Sequence, residues 1–441
     1  MKHIALITLA LLALALPAQP QFYPMTTLAE NCLVVNNTAC DVNNANLAIV
    51  LDQTNRSQLV SARLYHASGE LTNPSTDQRF LAYNVTTVPT TIINGSIGIT
   101  GSTPVETYLT LLQNFLYLPS PLKMQVTNFD PGTGQASVSV TKMDPNVDIT
   151  GQDLVFFLVE DNVGSATNVT RQVLYQDISL PQAGVPTTFS TSFTVSPAWI
   201  QANLWVLACV QLDDMQILQS ASSLPLPQYS LRCAFDWDAD DLEGGLNASL
   251  ASEPFYLFNT GATDNYTAQI VVEDGPADWY FNFCDEEGNC YPGNVPLPFS
   301  INAGEFKAFH LNLWIASTGT AHFYFQINST HSGTLQLHFT ARSDDVSASD
   351  LVQIPALRLE ANQPNPFTGA TSFRIASDKA LASATIQIFN LKGQLVDEAA
   401  ATNLRQGTNN VAWQAPSELP AGVYFYRLSG ERNLRRMLLL K

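Results

Sequence analysis

The residues of this chain that could do chemistry are six cysteines, six histidines and one short acidic run. The cysteines fall in sequence-local pairs: Cys32 with Cys40, Cys209 with Cys233, Cys284 with Cys290. Two thiols within reach can exchange disulfides if one ionises, or they can form a structural bridge. Proximity alone assigns these pairs, most firmly Cys284 and Cys290, which flank the turn "DEEGN". Four of the histidines lie between 310 and 338. His310, His322 and His338 alternate with apolar residues on strand-like runs, which turns them away from the apolar face and gives no compact ligand spacing. "DWDADDLEGG" sets Asp236, Asp238, Asp240 and Asp241 close together, as calcium loops do. It departs from the EF-hand pattern where Asp241 replaces the turn glycine and Asn247 the bidentate acid, so it reads as a calcium site or a solvated acidic connector. No nucleophile elbow, Walker A loop, dinucleotide fingerprint or H-E-x-x-H helix occurs, and no cofactor is expected.

Hydrophobic residues make up 46% of the 441 and charged ones 13%, so uncharged polar residues must supply solubility, a mix that suits exposed β-structure. The formal charge of -18, with only 20 Lys and Arg, excludes nucleic acid, whose phosphates require clustered cations. Residues 1–18 read as a secretory signal peptide: Lys2, an apolar run from Ile4 to Leu16, then small residues. That run is shorter than the roughly 20 residues that span a bilayer, and no other stretch is long enough, so the mature form is expected to have no transmembrane span. Export puts the cysteines in an oxidising compartment, where disulfides are the default.

Residues 25–118 alternate helical and strand-like segments. "DVNNANLAIVLDQT" predicts a helix capped by Asp or Asn, "LVSARLYH" a half-buried strand, and "STDQRFLAYN" a helix capped by Ser75 or Thr76. Asn94-Gly95 marks a hairpin turn, and Thr103, three before Glu106, predicts a capping box with Pro104 at the first helical position. From 122 to 232 the period becomes two, with "QASVSVTK", "DLVFFLVED" and "NLWVLACVQL" among several short strands, which predicts a β-sandwich. A second sandwich with an acidic linker is expected over 233–352, and a last β-rich unit over 357–441. Triplets such as those at Asn168 and Asn265 mark exposed polar loops.

The last unit resembles the C-terminal sorting domain of the type IX secretion system. The matching pieces run in order: "NQPNPF" (362 to 367), "IQIFNLKGQLV" (386 to 396), "NNVAW" (409 to 413), "LPAGVYFYRL" (419 to 428) and "RRMLLLK" at the end. Asn365, Pro366, Gly393, Gly422, Tyr424 and Lys441 carry the signal. The resemblance implies a small Ig-like sandwich, a secretion translocon as partner, and a place in the medium or on the outer surface of a Gram-negative cell. Residues 25 to about 223 resemble the thioredoxin-like outer-membrane-associated proteins, through "YHASGE", "RFLAYNVTTVPTTIING", "FFLVED", "NVTRQVL" and "WVLACVQ". By that resemblance Val88-Pro89 is the cis-proline loop that faces a dithiol. If Leu47 begins the buried face of the first helix, the dithiol positions fall on Asn37 and Cys40, and a shifted register gives Cys40 and Asn43. Neither restores Cys-x-x-Cys, and an amide cannot become a thiolate. Asp41 disfavours a thiolate further. Pro89 is then a relic of fold geometry or part of a peptide-binding edge.

The sequence therefore predicts a multidomain α/β plus all-β protein: a thioredoxin-like domain, two β-sandwiches and a C-terminal Ig-like β-sandwich. The expected role is noncatalytic binding or display, toward a protein or glycan ligand. Two alternatives stand beside it: a thiol-disulfide oxidoreductase using Cys32 and Cys40, and an adhesin or glycan binder working through exposed aromatics on 233–350.

Overall fold

The computed structural model describes residues 21–234, 241–246 and 249–343, and in the last unit 357–359, 362, 363, 365, 367–377, 379–390, 395–419, 422–429 and 435–440. The signal-peptide reading of residues 1–18 lies outside the described residues. After a two-residue strand β1 (Tyr23–Pro24) come β2 (Thr27–Leu33), α1 (Thr38–Gln53), β3 (Leu59–Tyr65), α2 (Pro74–Ala82), β4 (Thr90–Ile93), β5 (Ile97–Thr100) and α3 (Val105–Leu116). Strand β2 pairs parallel with β3 and antiparallel with β4, and β5 closes the edge. Alternate residues of β2 face opposite ways. Leu28 and Cys32 pack with Phe80 of α2, whereas Ala29 packs with Leu47 of α1 and Tyr108 of α3. With helices on both faces, β3 is buried along its whole length, not half-buried as its alternation suggested.

The helix starts also differ from expectation. Asn37 caps α1 by accepting the Cys40 N–H, and Asn73 caps α2 in a reciprocal box with Thr76. Helix α3 begins after Pro104, whose ring has no side-chain acceptor, and the Thr103 N–H instead donates to Asn43 Oδ1 at 3.0 Å.

Next come β6 (Pro119–Ser120), β7 (Leu122–Asp130), β8 (Gln135–Lys142), β9 (Thr150–Glu160), β10 (Val169–Ser179), β11 (Pro186–Ser192), β12 (Leu204–Gln211) and β13 (Ile217–Ser222). Val169 of β10 pairs parallel with Arg63 of β3, so one eight-stranded sheet runs β13-β12-β9-β10-β3-β2-β4-β5 through both stretches. The three-stranded sheet β11-β8-β7 covers one face of its sandwich half, over a core that includes Val138, Phe156, Leu158 and Val206.

Residues 231–343 supply β14 (Leu231–Ala234), β15 (Asp241–Glu243), β16 (Ser249–Ala251), β17 (Phe255–Asn259), β18 (Asp264–Asp274), β19 (Tyr280–Asp285), β20 (Cys290–Pro292), β21 (Leu297–Ile301), β22 (Phe306–Trp314), β23 (Gly319–Ser329) and β24 (Gly333–Ser343). They form two sheets, β14-β17-β22-β19-β20 with β16 also on β22, and β15-β24-β23-β18-β21. Phe255, Phe283, Phe309, Phe323 and Phe325 fill the space between. This sandwich docks on the N-terminal half through Phe22 against Tyr256 and Tyr23 against Phe258. Arg232, fully buried at the junction, donates to the Ser57 carbonyl and, at 2.7 Å, to the Met25 carbonyl. Burial lowers its pKa to about 10.

The last unit has β25 (Leu357–Leu359), β26 (Phe367–Thr368), β27 (Ala370–Ser377), β28 (Leu381–Phe389), β29 (Leu395–Leu404), β30 (Gly407–Gln414), β31 (Gly422–Leu428) and β32 (Arg435–Leu440). Sheets β25-β27-β30 and β26-β32-β31-β28-β29 enclose Phe373, Ile388, Trp413 and Tyr426. The apolar terminal segment is paired on both sides, by β31 and by β26.

Candidate functional site

The dithiol positions expected from the sequence fall at the N-terminus of α1. Asn37 occupies the cap, its Oδ1 taking the Cys40 N–H at 3.1 Å. Cys40 is buried with Leu33, Tyr65 and Val169, and Val88 packs against that cluster. Val88–Pro89 is a cis peptide. Cys32 faces the other way: it packs with Leu28, Val155 and Phe157 on the α2 side of the sheet. The sheet therefore stands between the two sulfurs, and the expected Cys32–Cys40 bridge does not form; both thiols are free. Burial, with Glu30 next, raises the Cys32 thiol far above its ordinary range. Burial also raises Cys40, with Asp41 adding to the rise and the backbone at Val34 opposing it. Neither sulfur is set to ionise.

The expected Cys209–Cys233 bridge fails for a related reason. Cys209 belongs to the core around α2 and Cys233 to the core of the second sandwich, and both are free. Cys284 and Cys290 do bond, because they sit directly opposite each other on β19 and β20.

Beneath α2 lies a buried polar cluster that sequence reading missed. Arg79 pairs with Glu30 of β2 through Nε and, at 2.8 Å, through Nη2. Its Nη1 donates to Tyr175 OH of β10 and Gln211 Oε1 of β12, each at 3.0 Å, and its guanidinium lies 4.8 Å from the Phe157 ring of β9. Tyr83 OH donates to Glu30 as well. In a flat sheet β2 and β12 would stand about 19 Å apart, four strand spacings. One side chain reaches both only because the sheet curls around α2. Burial disfavours the Arg79 cation, but Glu30, Tyr83 and Tyr175 outweigh it and hold the guanidinium charged. The only signals were a Glu inside the apolar strand "TLAENCL" and an Arg before "FLAY".

Near the same end of the sheet, His66 Nδ1 meets Asp77 Oδ1 at 2.6 Å and the imidazole stacks on Phe80. Across the sheet, Asn43 bonds Asn31, Thr91, Tyr108 and the Thr103 backbone, an uncharged network under α1. Of the acidic run, Asp241 accepts from Arg342 Nη1 at 2.8 Å at the start of β15; Asp236, Asp238 and Asp240 lie outside the described residues. His322 pairs with Asp274 and His331 with buried Asp264. Among the described residues no group of three or more His, Cys, Asp or Glu is placed to hold a metal, and no helix is long and apolar enough to cross a membrane.

In the last unit Tyr424 is buried in the core, Gly422 opens β31 at φ 152°, and Asn365 is exposed. Pro366, Gly393 and Lys441 lie outside the described residues. Residues 363–439 match the family described as "Secretion system C-terminal sorting domain". This stretch is a type IX sorting domain, and it directs the chain to export, on the cell surface or as a secreted protein. No curated protein matches the chain. Among solved structures, dimeric latent PorU from Porphyromonas gingivalis is 15% identical, covering 73% of this chain and 34% of its own, with a TM-score of 0.23. The N-terminal domain of PorA is 16% identical over 23% of this chain and 84% of its own, at 0.18. A β-glycosidase from Bacteroides vulgatus is 12% identical over 54% and 27%, at 0.24. This chain thus spans 34% of the PorU chain. Likenesses this slight define neither fold nor activity.

Proposed function

We propose that the chain is an exported, noncatalytic binding or display protein whose N-terminal unit is a thioredoxin-like scaffold without thiol exchange. The order β3-β2-β4-β5, with α1 and α3 on one face and α2 on the other, supports the scaffold assignment. The observation that carries the noncatalytic reading is the start of α1, where an amide caps the helix and the two nearest thiols are buried on opposite faces of a sheet. Exchange requires an accessible thiolate with a partner in reach. Beyond the scaffold we assign sandwiches to 122–232 and 233–352, and the translocon as the partner of 357–441.

Deletion of residues 357–441 in the native host tests the export half of this reading. The full chain is expected on the cell surface or in the medium and the truncated chain inside the outer membrane. Normal export of the truncated chain would remove the translocon as partner.

A further inference from the structure

On the outer face of the second sandwich, Tyr280 of β19 and Trp314 of β22 stand directly opposite each other. Cross-strand partners share a face. Both are about half exposed, 53% and 46%, while their neighbours Phe281 and Leu313 turn inward to the core. The contrast with Trp279 is informative, because that ring is buried and its N–H donates to the Ser317 carbonyl at 2.8 Å. On the far side of Trp314 the paired residue is Ser249, exposed and too small to cover the indole. The next row pairs Asn282 with Asn312, and the Cys284–Cys290 bridge fixes the hairpin beyond it. Farther along the same face, Tyr256 and Phe258 are already covered by Phe22 and Tyr23. Tyr280 and Trp314 remain half exposed.

We infer that Tyr280 and Trp314 form a platform for a neutral oligosaccharide, with Asn282 and Asn312 as amide partners for its hydroxyls. The inference rests on the binding-protein reading and names its ligand class. Two half-exposed rings offer on the order of 200 Å², far below the ~800 Å² each partner gives to a stable protein interface. That area suits a few sugar rings, whose C–H faces are apolar and whose edges carry hydroxyls. Charge points the same way. The rows Tyr280–Trp314–Ser249 and Asn282–Asn312–Ala251 carry no formal charge on a chain of -18, which repels polyanions and a second copy of itself. Asn312 Nδ2 donates to Cys284 Sγ at 3.0 Å, so its Oδ1 as acceptor and the Asn282 Nδ2 as donor are the amide atoms offered to neighbouring hydroxyls.

The test is titration calorimetry of the purified full chain against hexasaccharides of cellulose, mannan, xylan and chitin. At least one is expected to bind, and Trp314→Ala and Tyr280→Ala each to weaken it by about tenfold or more, roughly the loss of one stacking contact. Both side chains face solvent, so an unchanged melting temperature should accompany the loss. No binding to any of the four, or binding that Trp314→Ala leaves intact, overturns the inference. So does self-association in sedimentation that Trp314→Ala abolishes, which would give the face to a second copy. A failure here leaves the export measurement untouched, because the one is read on purified protein and the other in cells.

Discussion

Glu30 of β2 and Arg79 of α2 form an ion pair in which neither side chain has any solvent exposure. Around it, Tyr83, Tyr175 and Gln211 satisfy the remaining guanidinium and carboxylate positions. The pair therefore ties α2 to three strands of one curled sheet. Removing one partner strands the other charge in the core, which costs about 3–5 kcal/mol. Arg79→Ala or Glu30→Gln should lower the urea midpoint strongly, while the double variant Arg79→Met with Glu30→Leu should recover much of the loss. Equal midpoints for single and double variants would contradict this account of the cluster.

The Asn94-Gly95 turn touches the β12–β13 turn, with the Ile217 N–H donating to the Asn94 carbonyl at 2.9 Å. Gly95 has φ +74°, and a Cβ there would lie 1.7 Å from the Met215 carbonyl oxygen. Gly95→Ala meets both backbone strain and a backbone clash, so it should destabilise by more than the ~1 kcal/mol that glycine-to-alanine changes usually involve. Thermal unfolding would check it. The neighbouring Gly101 also has positive φ but open space, and Gly101→Ala should cost less.

Burial raises the thiols of Cys32, Cys209 and Cys233 above their ordinary range. The folded chain thus keeps protons that the unfolded chain releases near pH 8.5. Their contribution to stability is complete below that pH and falls as pH climbs toward the raised values. Urea midpoints should decline between roughly pH 8.5 and 10, and Cys209→Ala should make the decline shallower. A flat profile across that window would contradict the burial of these thiols.

The Cys284–Cys290 bridge closes a short hairpin, for which loop entropy gives roughly 2 kcal/mol. Reduction, or replacement of both by Ser, should lower the melting temperature of the second sandwich without altering the Arg79 cluster. Peptide mapping of the native protein should recover this one bridge and four unmodified thiols.

Much of the fold was legible in the sequence because local chemistry specifies it. "QASVSVTK" alternates small apolar with polar residues and is strand β8 as read; Cys284 and Cys290 flank a turn and bond across it. Helix starts were less legible. The Asp and Asn residues of "DVNNAN" are the expected caps of α1, but the helix starts earlier, where the Asn37 oxygen accepts the Cys40 N–H. Pairings that depend on distant strands were not legible. Glu30 and Arg79 are 49 residues apart, and Arg79 and Gln211 are 132 apart, so neither charge shows its partner in the sequence. The failed Cys32–Cys40 pairing has the same origin: eight residues apart along the chain, the two sulfurs sit on opposite faces of a sheet that β3 and β4 complete around β2.

The reading of the N-terminal unit as redox-silent is tested most directly by insulin reduction with excess dithiol as the electron source. Wild type, Cys32→Ser and Cys40→Ser should all run at the rate of the dithiol alone. A wild-type rate above that background, lost on Cys40→Ser, would show a working thiol at the start of α1 and contradict the account.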